Sequence, residues 1–313
     1  MAELPSPSPL DDFRRLLQSA PEFDLAAAAL ATSDWAEAGP LANLAGWLAG
    51  VLGRTAIRRP ILVVYASASD GVASGVHLAR QRLEALASED AHLCRFARSL
   101  GAGIEAFDLA IDRPARDASL QPSASAREVA ATVAFGMEAV AKDPDLLILS
   151  DVSQGADRNA RAILMALLGL SFASAPGEPH CAWTETALAR LGQAPPADVF
   201  DLLAEVSGRE ICALTGALIA ARVSGVPVLL DGPSALAAGA IAAQMDPRAL
   251  DHARLSAPFT SPLFTLAAAR LNLAPIWGLA APTDAPSFGG AGLAVLAALR
   301  QAETAFGGGA SAR

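Results

Sequence analysis

Asp145-Leu-Leu-Ile-Leu-Ser-Asp-Val-Ser-Gln-Gly-Ala-Asp-Arg-Asn-Ala-Arg-Ala-Ile-Leu-Met-Ala-Leu-Leu-Gly169 reads as a strand, a polar loop and a helix, and the rest of the chain repeats that grammar. Leu146 to Leu149 is an unbroken apolar run, the mark of a strand covered on both faces, as in a parallel sheet. Ser150 to Asp157 is too polar for a core. Asp157 fits an N-cap, Ile163, Leu164, Leu167 and Leu168 recur behind it at helical spacing, and Gly169 supplies the stop. In open parallel sheets, ligands bind beyond the carboxyl ends of the strands, where helix N-termini offer free N–H groups to an anion. Ser150 to Arg158 is therefore the first candidate site, with Ser150, Asp151, Gly155 and Arg158 as its contacts.

Upstream, helices are expected at 11–19, 23–31 and 41–52, the last with Leu41, Leu44, Leu48, Val51 and Leu52 on one face. Ile61 to Tyr65 is the first clear strand. A loop of small residues follows, in which Ser67, Ser69, Asp70 and Gly71 serve either as ligand contacts or as a helix cap and turn. Helices at 78–87 and 89–100, a strand at 104–109 ending near Asp108, and a helix at 126–141 lead into the central strand. Past Gly169, Ser171 to Thr184 is irregular, with Trp183 either a packing residue or a platform for a base. Helices at 185–193, 196–205 and from Gly208 onward precede Val226-Pro-Val-Leu-Leu-Asp-Gly232, a strand closed by Asp231 and Gly232, with Ser234 opening the next helix. Asp70, Asp151 and Asp231 then share one rim, as ligands or as ordinary caps. A helix at 263–271, a short strand at 275–279, a loop at 280–290 and a closing helix at 293–306 complete the chain.

Strands alternating with helices imply an α/β fold: an open parallel sheet with helices on both faces, Rossmann-like. Residues 1–55 form a helical segment, 56–290 the α/β domain, and 291–313 a C-terminal helix that packs with the N-terminal segment into a small helical domain. No Gly-x-Gly-x-x-Gly opens a strand–helix unit and no Gly-Lys-Thr phosphate loop occurs, so dinucleotide binding and triphosphate hydrolysis lack support.

Composition narrows the partners. The chain has 313 residues, is 53% hydrophobic and carries a net charge of -9. Its one lysine, Lys142, rules against a nucleic-acid surface, which needs clustered cations. No run of about 18 uncharged apolar residues is present to span a bilayer. Residues 1–13 lack the basic, apolar and cleavable pattern of a leader, so the cytoplasm is the expected compartment. Cys94, Cys181 and Cys212 are too widely spaced for a disulfide framework or a zinc pattern, and the four histidines are scattered; no metal is expected. Any bound phosphate then rests on backbone N–H groups and an arginine, with Arg158, Arg190 and Arg254 as candidates.

The order and wording of these segments resemble the nicotinate-nucleotide–dimethylbenzimidazole phosphoribosyltransferase family. Gly39-Pro-Leu-Ala-Asn-Leu44 resembles that family's Gly-Ser-Leu-Gly-Arg-Leu, and Ser69-Asp-Gly-Val72 its Asp-His-Gly-Val. Residues 101–111 and 208–221 resemble two further motifs, and Val226 to Gly232 is nearly verbatim to Ile-Pro-Val-Leu-Leu-Asp-Gly. The resemblance implies synthesis of alpha-ribazole phosphate for the lower ligand of cobalamin. A benzimidazole nitrogen attacks the ribose C1 of nicotinate mononucleotide, nicotinate leaves, and a carboxylate takes the ring proton. It implies these small-molecule substrates, no cofactor, and a homodimer or a heterodimer with a paralogue.

The departures from the family pattern fall where the chemistry belongs. Ser150 to Asp157 stands where the family reads Gly-Glu-Met-Gly-Ile-Gly-Asn-Thr, keeping Asp151 and Gly155. Ser287-Phe-Gly-Gly-Ala291 stands for Gly-Glu-Gly-Ser-Gly, which puts Phe288, beside Gly289, at the position of the catalytic glutamate. Residues 253–259, with Arg254, reduce a basic family segment, and Arg190 stands for a lysine. Two expectations follow: phosphoribosyl transfer with Asp151 or Asp284 as base, or a non-catalytic paralogue that binds a base or nucleotide or pairs with an active relative.

Overall fold

The computed structural model describes residues 9–89, 91–192, 196, 198–276, 278 and 288–306. Three helices, α1 (Pro9–Gln18), α2 (Leu25–Asp34) and α3 (Pro40–Leu52), precede strand β1 (Pro60–Ala66). Then come α4 (Gly75–Ala87), α5 (His92–Ser99), β2 (Gly103–Asp108), α6 (Ala126–Gly136), β3 (Leu146–Asp151) and α7 (Ala156–Leu168). Helices α8 (Ala182–Leu191), α9 (Val199–Val206) and α10 (Arg209–Val223) lead to β4 (Val228–Leu230), α11 (Pro233–Met245), β5 (Ala253–Leu255), α12 (Pro262–Arg270) and α13 (Gly290–Phe306).

The strands form one parallel sheet in the order β2-β1-β3-β4-β5. The two-residue period of a strand explains why its central members are apolar throughout. Ile61, Val63, Tyr65, Leu147 and Leu149 enter the core under α1, α6, α7 and α9 to α12. Leu62, Val64, Ala66, Leu146 and Ile148 enter the opposite core, under α3, α4, α5 and α13. The terminal segments meet there: Trp35, Ala42 and Ala45 cluster with Ala302, and the Trp35 and Phe306 rings lie 6.1 Å apart. Helix α3 also packs on the sheet through Leu44, Trp47 and Leu48, so α3 and α13 are continuous with the second core, whereas Phe13 and Leu17 of α1 lie in the first and α1 does not join them.

Helices α6 and α10 cross at backbone contact. A Cβ on Gly136 would lie 1.9 Å from the Ala213 carbonyl oxygen, and one on Gly216 1.9 Å from that of Val133. Glycine at both positions is therefore a packing requirement rather than a turn signal.

One local expectation is corrected, and one strand is new. The N-cap of α7 is Gly155, at φ +77°, and not Asp157, which lies in the first turn 3.4 Å from Arg161. Only glycine takes that φ without strain, so backbone geometry overrides side-chain capping. Strand β5 was not anticipated: it has three residues, one of them Arg254, and its pairing with β4 is a tertiary contact. Of the strand expected at 275–279, the described residues show one bridge, Leu255 to Pro275. Residues 277 and 279–287, including Asp284, lie outside the described residues.

Candidate functional site

The strand order reverses between β1 and β3, and in doubly wound sheets the ligand crevice opens at the carboxyl ends of that pair. Four polar side chains meet there, under the first core. Asp151 ends β3 at 2% exposure, and its Oδ2 accepts from the Ser153 N–H at 2.9 Å. Ser67, just past β1, donates its N–H to Ser153 Oγ at 3.0 Å, and the two hydroxyl oxygens are 3.4 Å apart. The Ser67 hydroxyl donates to Glu210 Oε2. Glu210 is 1% exposed and its Oε1 has no hydrogen-bond partner. Its carboxylate folds back over Gly208, into space that a Cβ there would fill.

Burial pushes the Asp151 carboxyl up to about 7, the Glu210 charge adds to the rise, and the hydroxyls of Ser234 and Ser153 and the Ser153 N–H oppose it. Glu210 is raised too, chiefly by burial and against the Ser67 hydrogen bond. A buried carboxyl raised to about 7 beside a second buried carboxyl that is also raised can hold and pass a proton, which marks a candidate acid–base centre. The candidate segment 150–158 includes Ser153 without singling it out, and Glu210 was not singled out, although it lies in the stretch 208–221 that resembles a family motif and is a lone acid at the head of a long, mostly apolar helix.

Asp231 shares the rim but faces the other core. The β3–β4 register, Leu149 opposite Leu230, sets it beside Ser150, whose buried hydroxyl is unpartnered. The Asp231 Oδ2 accepts from the Gly292 N–H at 2.7 Å, so it caps the first turn of α13. Burial raises it to about 6 against the bonds from Gly292 and Ala291. Gly232, at φ +103°, is the N-cap of α11.

The loops that follow β1 and β2 interlock with the start of α7 and α8. Ser69 bridges to Ala115, and the Asp70 N–H donates to the Ala115 carbonyl at 2.8 Å. Arg158 donates to the carbonyls of Asp70 at 2.8 Å and Gly71 at 3.3 Å. Its guanidinium also lies 4.2 Å from the Trp183 ring centroid, which covers one face of that ring. The Trp183 indole N–H donates to Asp117 at 2.7 Å. Burial works against the Asp117 charge, yet the Ser119 and Trp183 bonds and the nearby Arg158 leave its carboxyl below the usual range. Val72 seals the joint against Gly155, where a Cβ would come within 2.9 Å of it.

Phe288 sits at φ +56° beside Gly289, which at φ +85° presses against Leu62. Its ring lies 5.1 Å from the Arg82 guanidinium, which donates to the Val152 carbonyl at 2.9 Å and to Gln154 at 3.1 Å.

The three candidate arginines do not converge. Arg190 ties α8 to the carbonyls of Ala118 and Glu205 and pairs with the Glu205 side chain. Arg254 lies over Trp47 at 5.2 Å and donates to the Ala253 carbonyl at 2.7 Å. Only Arg158 borders the crevice. Lys142 pairs with Glu105. Cavities among the described residues lie away from the buried acids, including one of about 790 Å³ beside Arg248, Arg254 and Arg270 and one of about 580 Å³ between α3 and α13. Among the described residues no cluster of three or more His, Cys, Asp or Glu is arranged to hold a metal, and no helix is long and apolar enough to cross a membrane.

The sheet order defines a doubly wound α/β protein, and the family model described as Phosphoribosyltransferase matches residues 28–284 and gives its class. The nicotinate-nucleotide–dimethylbenzimidazole phosphoribosyltransferase of Rhizobium meliloti is 32% identical over 293 residues, spanning 87% of each chain. That of Rhizobium johnstonii is 36% identical over 267 residues, 78% of this chain and 79% of that one. The chain belongs to the nicotinate-nucleotide–dimethylbenzimidazole phosphoribosyltransferase family. Its fold matches the crystal structure of the Thermus thermophilus protein of that name at a TM-score of 0.74, with 24% identity and 95% of each chain covered.

Proposed function

We propose that the chain transfers the phosphoribosyl group of nicotinate mononucleotide to a benzimidazole-type base, forming alpha-ribazole phosphate, with chemistry altered by the loss of the family's glutamate. The observation that carries this reading is Asp151 at the carboxyl end of β3, buried and raised toward neutrality at the switch point of a family-typical sheet. In the reaction the unprotonated ring nitrogen of the base bonds to ribose C1 while the bond from C1 to the nicotinate nitrogen breaks. The electron pair leaves with nicotinate, and the proton on the second ring nitrogen passes to a carboxylate. Asp151 is the base we favour among the described residues, and Arg158 is the cation that meets the nucleotide phosphate after releasing the Asp70 and Gly71 carbonyls.

A second reading, a non-catalytic paralogue that binds the base or pairs with an active relative, draws support from Phe288. Its ring adds apolar surface beside an aromatic substrate and cannot accept a proton. Both readings take the chain to work in the cytoplasm, as a homodimer or a mixed dimer. Incubation with nicotinate mononucleotide and dimethylbenzimidazole, with the product followed by chromatography and binding by calorimetry, separates the two. Product supports transfer; binding without product supports the paralogue.

A further inference from the structure

The hydrogen bonds at the switch point run unbroken from one acid to the other. Asp151 accepts from the Ser153 backbone N–H and is also bonded by the Ser153 hydroxyl, Ser153 Oγ meets both the N–H and the hydroxyl of Ser67, and the Ser67 hydroxyl donates to Glu210. Every member is at most 2% exposed. Glu210 lies at the second position of α10, and its folded-back carboxylate uses the room that Gly208 leaves. Capping of α10 alone would leave neither a buried Oε1 without a partner nor a hydroxyl bridge to a second strand.

We propose that Glu210 is a positioning residue that shares a single proton with Asp151 across the Ser67–Ser153 hydroxyl bridge. The proposal rests on the phosphoribosyl-transfer reading only for its consequence: the pair accepts the ring proton of the base through Asp151. Two buried carboxylates cannot both ionise cheaply, so one proton stays with the pair and the titration belongs to both groups. The charged and titratable groups around the pair are consistent with this. Arg158 and Arg209 act on Glu210, Arg82 feels the charge of Asp151, and the buried Cys212 thiol, close to Glu210, is pushed up to about 12. Asp231 faces the other core. The arginines keep one negative charge on the pair; nothing described there compensates two.

The two hydroxyls make the sharing directional. Asp151 accepts the ring proton while the resting proton lies on Glu210; the pair then holds two protons and no net charge, and it returns to one proton by releasing the second to solvent once the product has left. With the base absent, the proton rests on whichever acid the bridge favours. Cutting the bridge at Ser67 removes the bond that favours Glu210 ionisation, so Glu210 holds the proton and Asp151 ionises more easily. Neutralising Glu210 by amidation acts in the same direction.

The test is infrared titration of the full chain, following the carbonyl stretch of a protonated carboxyl, on the wild type, Glu210→Gln, Ser67→Ala and Asp151→Asn. In the wild type a protonated carboxyl persists at neutral pH. In Glu210→Gln the Asp151 titration moves down by about one pH unit or more, as removal of a neighbouring like charge requires. Ser67→Ala, which keeps both acids, moves Asp151 the same way and serves if Glu210→Gln does not fold. Transfer activity, where present, shows the same displacement of its acidic limb. Absence of the protonated band in the wild type, or an Asp151 titration unmoved in both variants, overturns the sharing whatever the turnover. An infrared displacement in a chain without turnover supports the sharing and removes the transfer reading instead.

Discussion

Arg82 and Phe288 face each other across the rim, guanidinium to ring centroid 5.1 Å. Arg82 is held by the Val152 carbonyl and Gln154, immediately past Asp151, and burial depresses its own basicity. An aromatic ring suits such a partly desolvated cation, with a cation–π attraction on the order of 1 kcal/mol.

The first prediction concerns that position. A positioned general base contributes about 10²–10⁴-fold, so the wild type should turn over at least about 10²-fold more slowly than relatives that keep the glutamate. Phe288→Glu should recover part of the rate, with Arg82 keeping the new carboxylate ionised. Steady-state kcat measures it. Ordinary turnover that is abolished by Asp151→Ala and indifferent to Phe288→Glu would assign the whole role to Asp151.

Asp151 also links stability to pH. Its folded value, about 7, lies above the ordinary carboxylate value of 3.8, so the folded state binds the proton more tightly than the unfolded chain. The resulting stabilisation is complete below pH 4 and is lost as pH rises to 7. Asp231, at about 6, acts in the same sense over pH 4 to 6. Asp151→Asn mimics the neutral acid and should raise the Tm at pH 8 relative to the wild type, with a flatter Tm profile between pH 5 and 8. Parallel profiles for the two proteins would refute it.

The arginines should divide by function. Arg158→Ala is expected to weaken nicotinate mononucleotide binding, read by calorimetry, by roughly the 1.5–3 kcal/mol of a charged hydrogen bond. Arg190→Ala should instead lower stability by about 1–3 kcal/mol, through the orphaned Ala118 and Glu205 carbonyls, and leave affinity unchanged. Arg254→Ala should likewise leave affinity unchanged. Equal affinity in all three variants removes arginine from phosphate binding.

Gly136→Ala and Gly216→Ala each force a methyl group into a facing backbone carbonyl, and overpacking of this kind costs about 1–3 kcal/mol or more. Chemical denaturation should show a lower midpoint for both. A midpoint unchanged in either variant would mean that α6 and α10 do not cross as closely as described.

By itself the sequence determined the architecture, because a strand covered on both faces must be apolar at every position and a helix on a sheet must repeat its apolar residues every three or four. Leu146 to Leu149, Ile61 to Tyr65 and the glycine stops carry that information locally. Val226 to Gly232 carries the family in the same way, and Asp151 at its strand end needed no structure to be a candidate. The tertiary structure alone decided which polar residues meet. Glu210 reaches Asp151 through Ser67 and Ser153 because α10 crosses the ends of β1 and β3, elements more than fifty residues earlier in the chain. It separated Asp231 from Asp151 by one residue of register, since neighbouring positions on a strand face opposite cores. It also divided the arginines, which look alike in sequence, according to the carbonyls and rings each one meets. Periodicity is written in neighbouring residues, whereas a proton held between two buried acids depends on desolvation and long-range contact, which only the folded chain supplies.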